Sequence, residues 1–241
     1  MVETGRADGR NPNQLRPFSC TRNPLNRAHG SARWSQGDTV VLAAVYGPKP
    51  GTRKGENPEK ASIEVVWKPK TGQIGRQEKE YEMTLKRTLQ NICLLTVHPN
   101  TTTSIVLQVV NDDGSLLPCA INASCAALAF SGVPLKQLAV AISCGVMENG
   151  AVILDTSKAE EQQQLKSFAH LVFPNSCKSV VGLKEPKQKD EQVERGLITS
   201  ITHGVMSEDD YFNCIERGLA ASSRISEFMR NTMQKDASEA A

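Results

Sequence analysis

The sequence is poor in aromatic residues and contains no long hydrophobic run. Phe, Trp and Tyr make up 5% of its 241 residues, although hydrophobic residues as a whole reach 39%, which is ordinary for a globular chain with a sizeable core. No apolar stretch approaches the roughly 20 residues that span a bilayer. The first residues include no apolar segment typical of a signal peptide. We therefore expect a globular protein without a membrane partner.

The seven cysteines follow no metal-binding or disulfide pattern. Their number is odd, their spacings are irregular and no Cys-x-x-Cys pair occurs, which excludes a zinc ribbon. Most of them lie among small or apolar residues, as the reduced cysteines of a protein core do. The pattern therefore favours a reducing compartment, the cytosol or the nucleus.

Charge is distributed unevenly along the chain, although the formal net charge is only +2. Residues 1–100 contain 16 Lys and Arg against 9 Asp and Glu, whereas residues 101–241 contain 12 against 17. A positive half favours an anionic partner. The alternative is chance clustering of charges on solvated faces.

Apolar periodicity predicts a mixed α+β architecture in a single domain of residues 1–241, with flexible ends at about 1–13 and 235–241. Strands are predicted at 40–46, 62–68, 104–110, 139–147, 151–154, 167–173 and 179–183. Helices are predicted at about 79–97, 116–131 and 208–233, and a charged loop at 184–194. The order of strands followed by a helix occurs twice, which suggests an internal duplication.

Two local patterns predict where elements turn or begin. Asn149-Gly150 between apolar runs predicts a hairpin turn in which both residues adopt positive φ. Ser207 is a favoured helix N-cap, and the three acidic residues after it complement the dipole of the last helix.

Six segments carry a resemblance to a known family. They are Arg6-Ala7-Asp8-Gly9-Arg10, Leu15-Arg16-Pro17, His29-Gly30-Ser31-Ala32, residues 37–48, Asp113-Gly114-Ser115, and Leu154-Asp155 with Glu160-Glu161. In this order they resemble the motifs of the RNase PH family, and in particular the RNase PH-like ring subunits of the eukaryotic exosome. The resemblance covers nearly the whole chain.

The resemblance implies both a fold and a cellular setting. The fold is α+β and RNase PH-like: a βαβα unit that occurs twice, similar to domain 2 of ribosomal protein S5, with mixed sheets packed against helices. Active members phosphorolyse RNA from its 3′ end, and members pair into dimers that close a ring around an RNA channel. The implied partners are RNA and other RNase PH-like exosome subunits, and the implied location is the nucleus and nucleolus, and also the cytoplasm.

The phosphate-binding motif of active members is altered in this chain. Where those members have Thr-Arg-Thr at a helix N-terminus, this chain has Leu116-Leu117-Pro118, with Leu117 in place of the arginine. Leucine cannot bind phosphate, and proline removes a backbone donor. We therefore expect weak or absent phosphorolysis, with Ser115 left as a weak anion-binding residue and inorganic phosphate as a co-substrate only if phosphorolysis occurs.

Three carboxylates match the catalytic motif of active members more closely. Asp155, Glu160 and Glu161 are the predicted catalytic residues, with Glu161 in place of an aspartate. Carboxylates at the end of a strand can hold Mg²⁺, for which Asp155 and Glu161 are the predicted ligands. The alternative is that these acids stabilise a solvated helix N-terminus.

A basic stretch between the second and third predicted strands is the candidate nucleic-acid surface. In the family this loop and helix grip the RNA backbone, and such phosphate contacts supply affinity without sequence preference. The alternative is a solvated basic loop. The predicted contact residues are Lys68, Lys70, Arg76, Gln77, Lys86 and Arg87.

Three functions therefore follow from the sequence. The first is an RNA-binding exosome ring subunit, active in 3′-to-5′ RNA processing and degradation including rRNA processing, with little or no phosphorolysis of its own. The second is a homodimeric metal-dependent nuclease that cleaves RNA or DNA through the three carboxylates. The third is a structural assembly subunit whose basic loop contacts protein.

Overall fold

The computed structural model describes residues 6, 8–50, 58–163, 165–175 and 196–239. The first half of the chain forms β1 (Phe18–Arg22), β2 (Gly30–Gln36), β3 (Thr39–Pro50), β4 (Ser62–Lys68), α1 (Arg76–Ile92), β5 (Thr101–Asn111) and α2 (Leu116–Ser131). The second half forms β6 (Leu138–Met147), β7 (Val152–Leu154), α3 (Lys158–Gln163), β8 (Leu165–Asn175), β9 (Thr199–Gly204) and α4 (Glu208–Glu239).

The first sheet is mixed and has the strand order β1-β2-β3-β5-β4. Its neighbouring strands are antiparallel, except that β4 pairs in parallel with β5. Helix α1 makes the crossover that a parallel pair requires. Along the central strands alternate residues are buried, so one face of this sheet packs against helices.

The second sheet is antiparallel and has the order β7-β6-β8-β9. Nearly every residue of β6 is buried, because α2 lies against one side of the sheet and α4 packs against β6 and β8. Each half thus contains a sheet and a following helix. The α+β class is confirmed, and this repeated order agrees with the predicted duplication.

Helix α2 lies between the two sheets. It is rich in Ala, Ser and Cys and contacts β2 and β3 on one side and β6 on the other. Its small side chains permit close approach. A Cβ built on Gly30 would lie 2.4 Å from the backbone nitrogen of Ser131. Asn122 anchors β6 by donating to the carbonyl of Ala141 (3.0 Å) and accepting from its N–H (2.8 Å).

Most predicted elements are present, with shifted ends. Helix α1 begins three residues early, where the Glu78 carboxylate accepts the Gly75 N–H at 2.9 Å, and it ends at Ile92 before the bridge between Cys93 and Leu135. The hairpin is confirmed, but of its two turn residues only Gly150 has positive φ.

Other predictions differ from the structure or fall outside it. Strand β3 continues past Gly47-Pro48, and strands β1, β2 and β9 and helix α3 were not predicted as such from periodicity. The predicted strand at 179–183 and loop at 184–194 lie outside the described residues. Ser207 caps α4 as predicted, because its Oγ accepts the Asp210 N–H at 3.2 Å.

Two contacts hold the N-terminal segment against the second half of the chain. Arg6 is 4% exposed, and the Leu154 N–H donates to the Pro12 carbonyl at 2.8 Å. Among the described residues, Cys20 and the five buried cysteines form no disulfide. Among the helices described, none is both long and apolar enough to cross a bilayer.

Candidate functional site

A cleft of about 540 Å³ opens where the two halves meet. The end of β4, the start of α1, the end of β5 and the start of α2 form one side, and α3 with β8 forms the other. Its charged lining residues include Lys70, Glu78, Asp112, Lys158 and Glu161. Its aromatic lining residues are Trp67, Tyr81, Phe168 and His170. This volume and mixed lining are typical of a small-ligand site.

Arg16 joins the two walls behind this cleft. It donates to Asp155 Oδ1 from Nη2 and to Oδ2 from its backbone nitrogen, both at 2.7 Å. Its Nη1 also donates to the Asp113 carbonyl at 2.7 Å. Gly114 allows this junction, since a Cβ there would lie 2.5 Å from the backbone nitrogen of Lys158. Asp155 is therefore a buried structural anchor.

Glu160 holds Arg6 in a second buried ion pair. The Nε and Nη2 atoms of Arg6 donate to the two carboxylate oxygens at 2.7 and 2.9 Å, and both side chains are fully buried. Burial by itself would raise the pKa of Glu160, but the hydrogen bond and charge of Arg6 outweigh it and leave that pKa lowered. Glu160 thus fastens the N-terminal segment and does not face the cleft.

Glu161 is the predicted carboxylate that does line the cleft. Its Oε1 accepts the Ser115 N–H and the Thr156 hydroxyl, each at 2.8 Å. Burial raises the pKa of Glu161 above its ordinary value in spite of these two bonds. The carboxylate is therefore positioned at the N-terminus of α2, in the place where an anion would otherwise bind.

These contacts do not fit the Mg²⁺ predicted for Asp155 and Glu161. Both Asp155 oxygens accept from Arg16, so metal binding would require breaking a buried ion pair. Across the residues that the structure describes, no group of three His, Cys, Asp or Glu side chains is placed to hold a metal ion. Asp155 and Glu160 each pair with a buried arginine, so both have structural contacts beside the catalytic role predicted for them.

Most of the altered phosphate-binding motif is buried. Leu117 and Pro118 are buried, and Ser115 is fully buried with its Oγ donating to the Thr156 carbonyl at 2.9 Å. The Ser115 N–H donates to Glu161, so a phosphate bound there as predicted would have to replace this carboxylate. The residue of this motif that lines the cleft is Leu116.

Two of the predicted nucleic-acid residues lie at the cleft. Lys70 lines it and donates to Asn111 Oδ1 at 2.9 Å, and Gln77 lines it and donates to the Tyr81 hydroxyl at 2.7 Å. Lys158, which sequence reasoning missed, adds a second cation, paired with Asp112 Oδ2 at 2.6 Å. The cleft therefore has one lysine on each wall that can contact a phosphate group, beside the carboxylates of Glu78, Asp112 and Glu161.

The other predicted residues form an outer surface. Arg76, Lys86 and Arg87 are exposed and, with Lys79, share the solvent face of α1, because their spacings of 3, 7 and 11 residues recur on one helix face. We call these four side chains the α1 basic face. Lys68 is exposed on β4, next to the exposed Val66 and away from the covered face of the sheet.

Sequence reasoning also missed the aromatic lining of the cleft. Trp67 is buried, and its ring lies 5.4 Å from that of Tyr81. Phe168 and His170 come from the second half of the chain, on a strand that was predicted only as apolar. Nothing local in the sequence places them opposite Tyr81.

The comparisons agree with this architecture. Residues 14–134 match the model of the RNase PH 3′ exoribonuclease family, domain 1. The chain is 84% identical to an exosome complex exonuclease RRP46 homolog of Oryza sativa subsp. japonica, over 98% of both chains. It is 62% identical to the homolog of the same name in Arabidopsis thaliana, over 99% of this chain and all of that one.

Solved structures show the same fold. The crystal structure of rice Rrp46 superposes with a TM-score of 0.85 at 81% identity, covering 95% of this chain and 100% of that one. A chain of the Archaeoglobus fulgidus exosome, solved with RNA bound to the active site, gives a TM-score of 0.73 at 17% identity over 93% of this chain and 92% of that one. This chain therefore belongs to the RNase PH 3′ exoribonuclease family.

Proposed function

We propose that this chain is an RNA-binding ring subunit of the exosome. It takes part in 3′-to-5′ RNA processing and degradation, including that of rRNA, and contributes little or no phosphorolysis of its own. The names of its rice and Arabidopsis relatives support membership of the complex. The partners are RNA and other RNase PH-like subunits.

The cleft with Lys70 and Lys158 on its two walls is the observation that supports RNA binding. Both lysines can contact phosphate, and the exposed cations of the α1 basic face lie on the helix whose first turn lines the cleft. The absence of a cation at Leu116 and Leu117 supports weak phosphorolysis, because no guanidinium is available there to hold an attacking phosphate.

A salt titration tests this function. Binding of fluorescein-labelled single-stranded RNA to the full chain is followed by anisotropy at several KCl concentrations. Lys70→Glu should weaken binding several-fold and reduce the salt slope by roughly 0.7 for each phosphate that the protein no longer neutralises. Lys136→Glu is the matched control, because Lys136 is equally exposed but lies beside the far end of α1. Equal behaviour of the two variants would contradict the cleft as the RNA site.

The alternative, a homodimeric metal-dependent nuclease acting on RNA or DNA, rests on Glu161 alone. Asp155 and Glu160 are held by arginines, whereas Glu161 lines the cleft with its pKa raised by burial. Incubation with RNA or DNA and Mg²⁺ separates the two functions. Cleavage that is lost in Glu161→Gln but kept in Glu216→Gln, an exposed control on α4, would support the nuclease.

A further inference from the structure

Three rings form a continuous wall from solvent into the cleft. Phe168 and His170 lie two apart on β8 and so share one face of the second sheet, and His203 on β9 is the cross-strand partner of Phe168. His203 stacks on Phe168 with ring centroids 4.8 Å apart and planes 28° apart. The Phe168 and His170 centroids are 5.1 Å apart. The stack fixes the plane of the Phe168 ring.

Phe168 is only partly buried by these contacts. It is half-buried and lines the cleft, whereas the exposed His203 covers it from the solvent side. Trp34 and Phe173, by contrast, are fully buried in the core. The structure instead leaves part of the Phe168 ring available to a ligand in the cleft.

His170 adds an unsatisfied polar group to this wall. It is 4% exposed, lines the cleft, and its Nδ1 has no hydrogen-bond partner among the described residues. Burial, together with the nearby His203, lowers the pKa of His170 to about 3, so the imidazole is neutral at physiological pH. A buried nitrogen without a partner costs free energy, and a ligand with a hydrogen-bonding edge would recover part of it.

The cleft contains two kinds of group that could contact a ligand. Lys70 and Lys158 offer positive charge, while Phe168 and His170 offer a flat apolar surface and a neutral hydrogen-bonding group. Phosphate suits the first pair and a planar heterocycle with polar edges suits the second. A nucleotide contains both parts.

We propose that Phe168 and His170 form a nucleobase subsite, in which the base at the 3′ end of the RNA stacks on Phe168 and hydrogen-bonds to His170. The subsite rests on the proposed RNA function of the cleft. It adds to that function a preference for RNA with a base at its 3′ end over RNA whose terminal ribose has none. Stacking accounts for affinity, and the hydrogen bond to His170 accounts for any preference among bases.

The test compares two RNAs of equal length on the full chain, one unmodified and one with an abasic 3′-terminal ribose. Wild-type protein should bind the unmodified RNA about five-fold or more tightly, since stacking on one aromatic side chain is worth about 1–3 kcal/mol. Phe168→Leu keeps an apolar side chain but removes the ring, and it should abolish this ratio. Phe212→Leu, which changes an exposed ring on α4, should leave the ratio unchanged.

A second variant tests His170 separately. His170→Phe retains a ring of similar size without nitrogen, and it should remove the differences among RNAs that end in A, C, G or U. Loss of the base-dependent ratio in Phe168→Leu supports the subsite even if absolute affinity also falls. An unchanged ratio, or a wild-type protein that binds both RNAs equally, overturns the subsite while leaving RNA binding intact. A wild-type protein that binds neither RNA overturns the proposed function as well.

Discussion

Arg16 donates a hydrogen bond to each oxygen of the Asp155 carboxylate, one from its guanidinium and the other from its backbone N–H. Asp155 is fully buried and Arg16 is 6% exposed. The same guanidinium donates to the carbonyls of Asp113 and Gly114. One side chain thus ties the N-terminal segment to the loop before α2 and to the loop before α3, and the cleft depends on how these two loops are held.

Asp155→Asn should destabilise the fold. The substitution leaves the buried Arg16 guanidinium without its counter-charge, and breaking a buried ion pair costs about 3–5 kcal/mol. Urea denaturation followed by circular dichroism measures the loss. Asp209→Asn on the exposed first turn of α4 is the control. If Asp155→Asn lost no more stability than this control, the anchoring role would be contradicted.

Glu160→Gln should destabilise the protein at neutral pH but not at low pH. The pKa of Glu160 is lowered from its ordinary value of 4.5, so the stability that it contributes is fully present above about pH 4.5 and is lost as pH falls through the lowered pKa. The wild-type and variant urea midpoints should therefore converge on acidification. A difference that stays constant from pH 7 to pH 3 would contradict the ion pair with Arg6.

Glu161→Gln should not destabilise the protein at neutral pH, in contrast to Glu160→Gln, although the two residues are adjacent. The pKa of Glu161 is raised by burial, so its charged form costs stability as pH rises above the ordinary value of 4.5. Gln keeps an acceptor for the Ser115 N–H and removes the charge. At pH 7 the variant should be as stable as the wild type or more stable, and a large loss in the urea midpoint would show that the carboxylate charge is needed.

Leu116→Arg should raise phosphate affinity, whereas Leu117→Arg should lower stability, although the two residues are neighbours. Leu116 lines the cleft, so an arginine there can extend towards Lys70 and Lys158 and should raise affinity for inorganic phosphate, measured by calorimetry. Leu117 is 2% exposed, so an arginine there buries an unpaired charge and should lower the melting temperature sharply. Equal stability of the two variants would place Leu117 at the cleft.

Charge reversal on the α1 basic face should weaken RNA binding without changing stability. Arg76 is 95% exposed and its ion pair with Glu80 lies on the surface, where such pairs contribute little. The double variant Arg76→Glu, Arg87→Glu should lower the affinity for RNA and reduce the salt slope when the RNA is long enough to extend beyond the cleft. Arg27→Glu, exposed near the opposite edge strand β1, is the control, and identical salt slopes would exclude this face from the RNA path.

Most of the fold could be predicted from the sequence, but only part of the site. A run rich in Ala, Ser and Cys located α2, alternating apolar residues located β4, and Asn149-Gly150 located the turn after β6, because these signals depend on neighbouring residues. Asp155 and Glu160 stood out in their motif, yet their partners Arg16 and Arg6 lie 139 and 154 residues away, so a structural role could not be separated from a catalytic one. His170 lay on an apolar strand, and its place in the cleft depends on packing between the two halves.

The position of α2 between the two sheets has a consequence for how the chain can be divided. Leu117 and Cys119 to Leu128 are buried by strands from both halves. The first half alone would leave one side of the helix in water, and the second half alone would leave the side of β6 that α2 covers in water. A break in the turn at 132–137 would therefore produce two fragments that become ordered only together. If each fragment were fused to one part of a split reporter enzyme, reporter activity would appear only when the two halves of the chain reassociate.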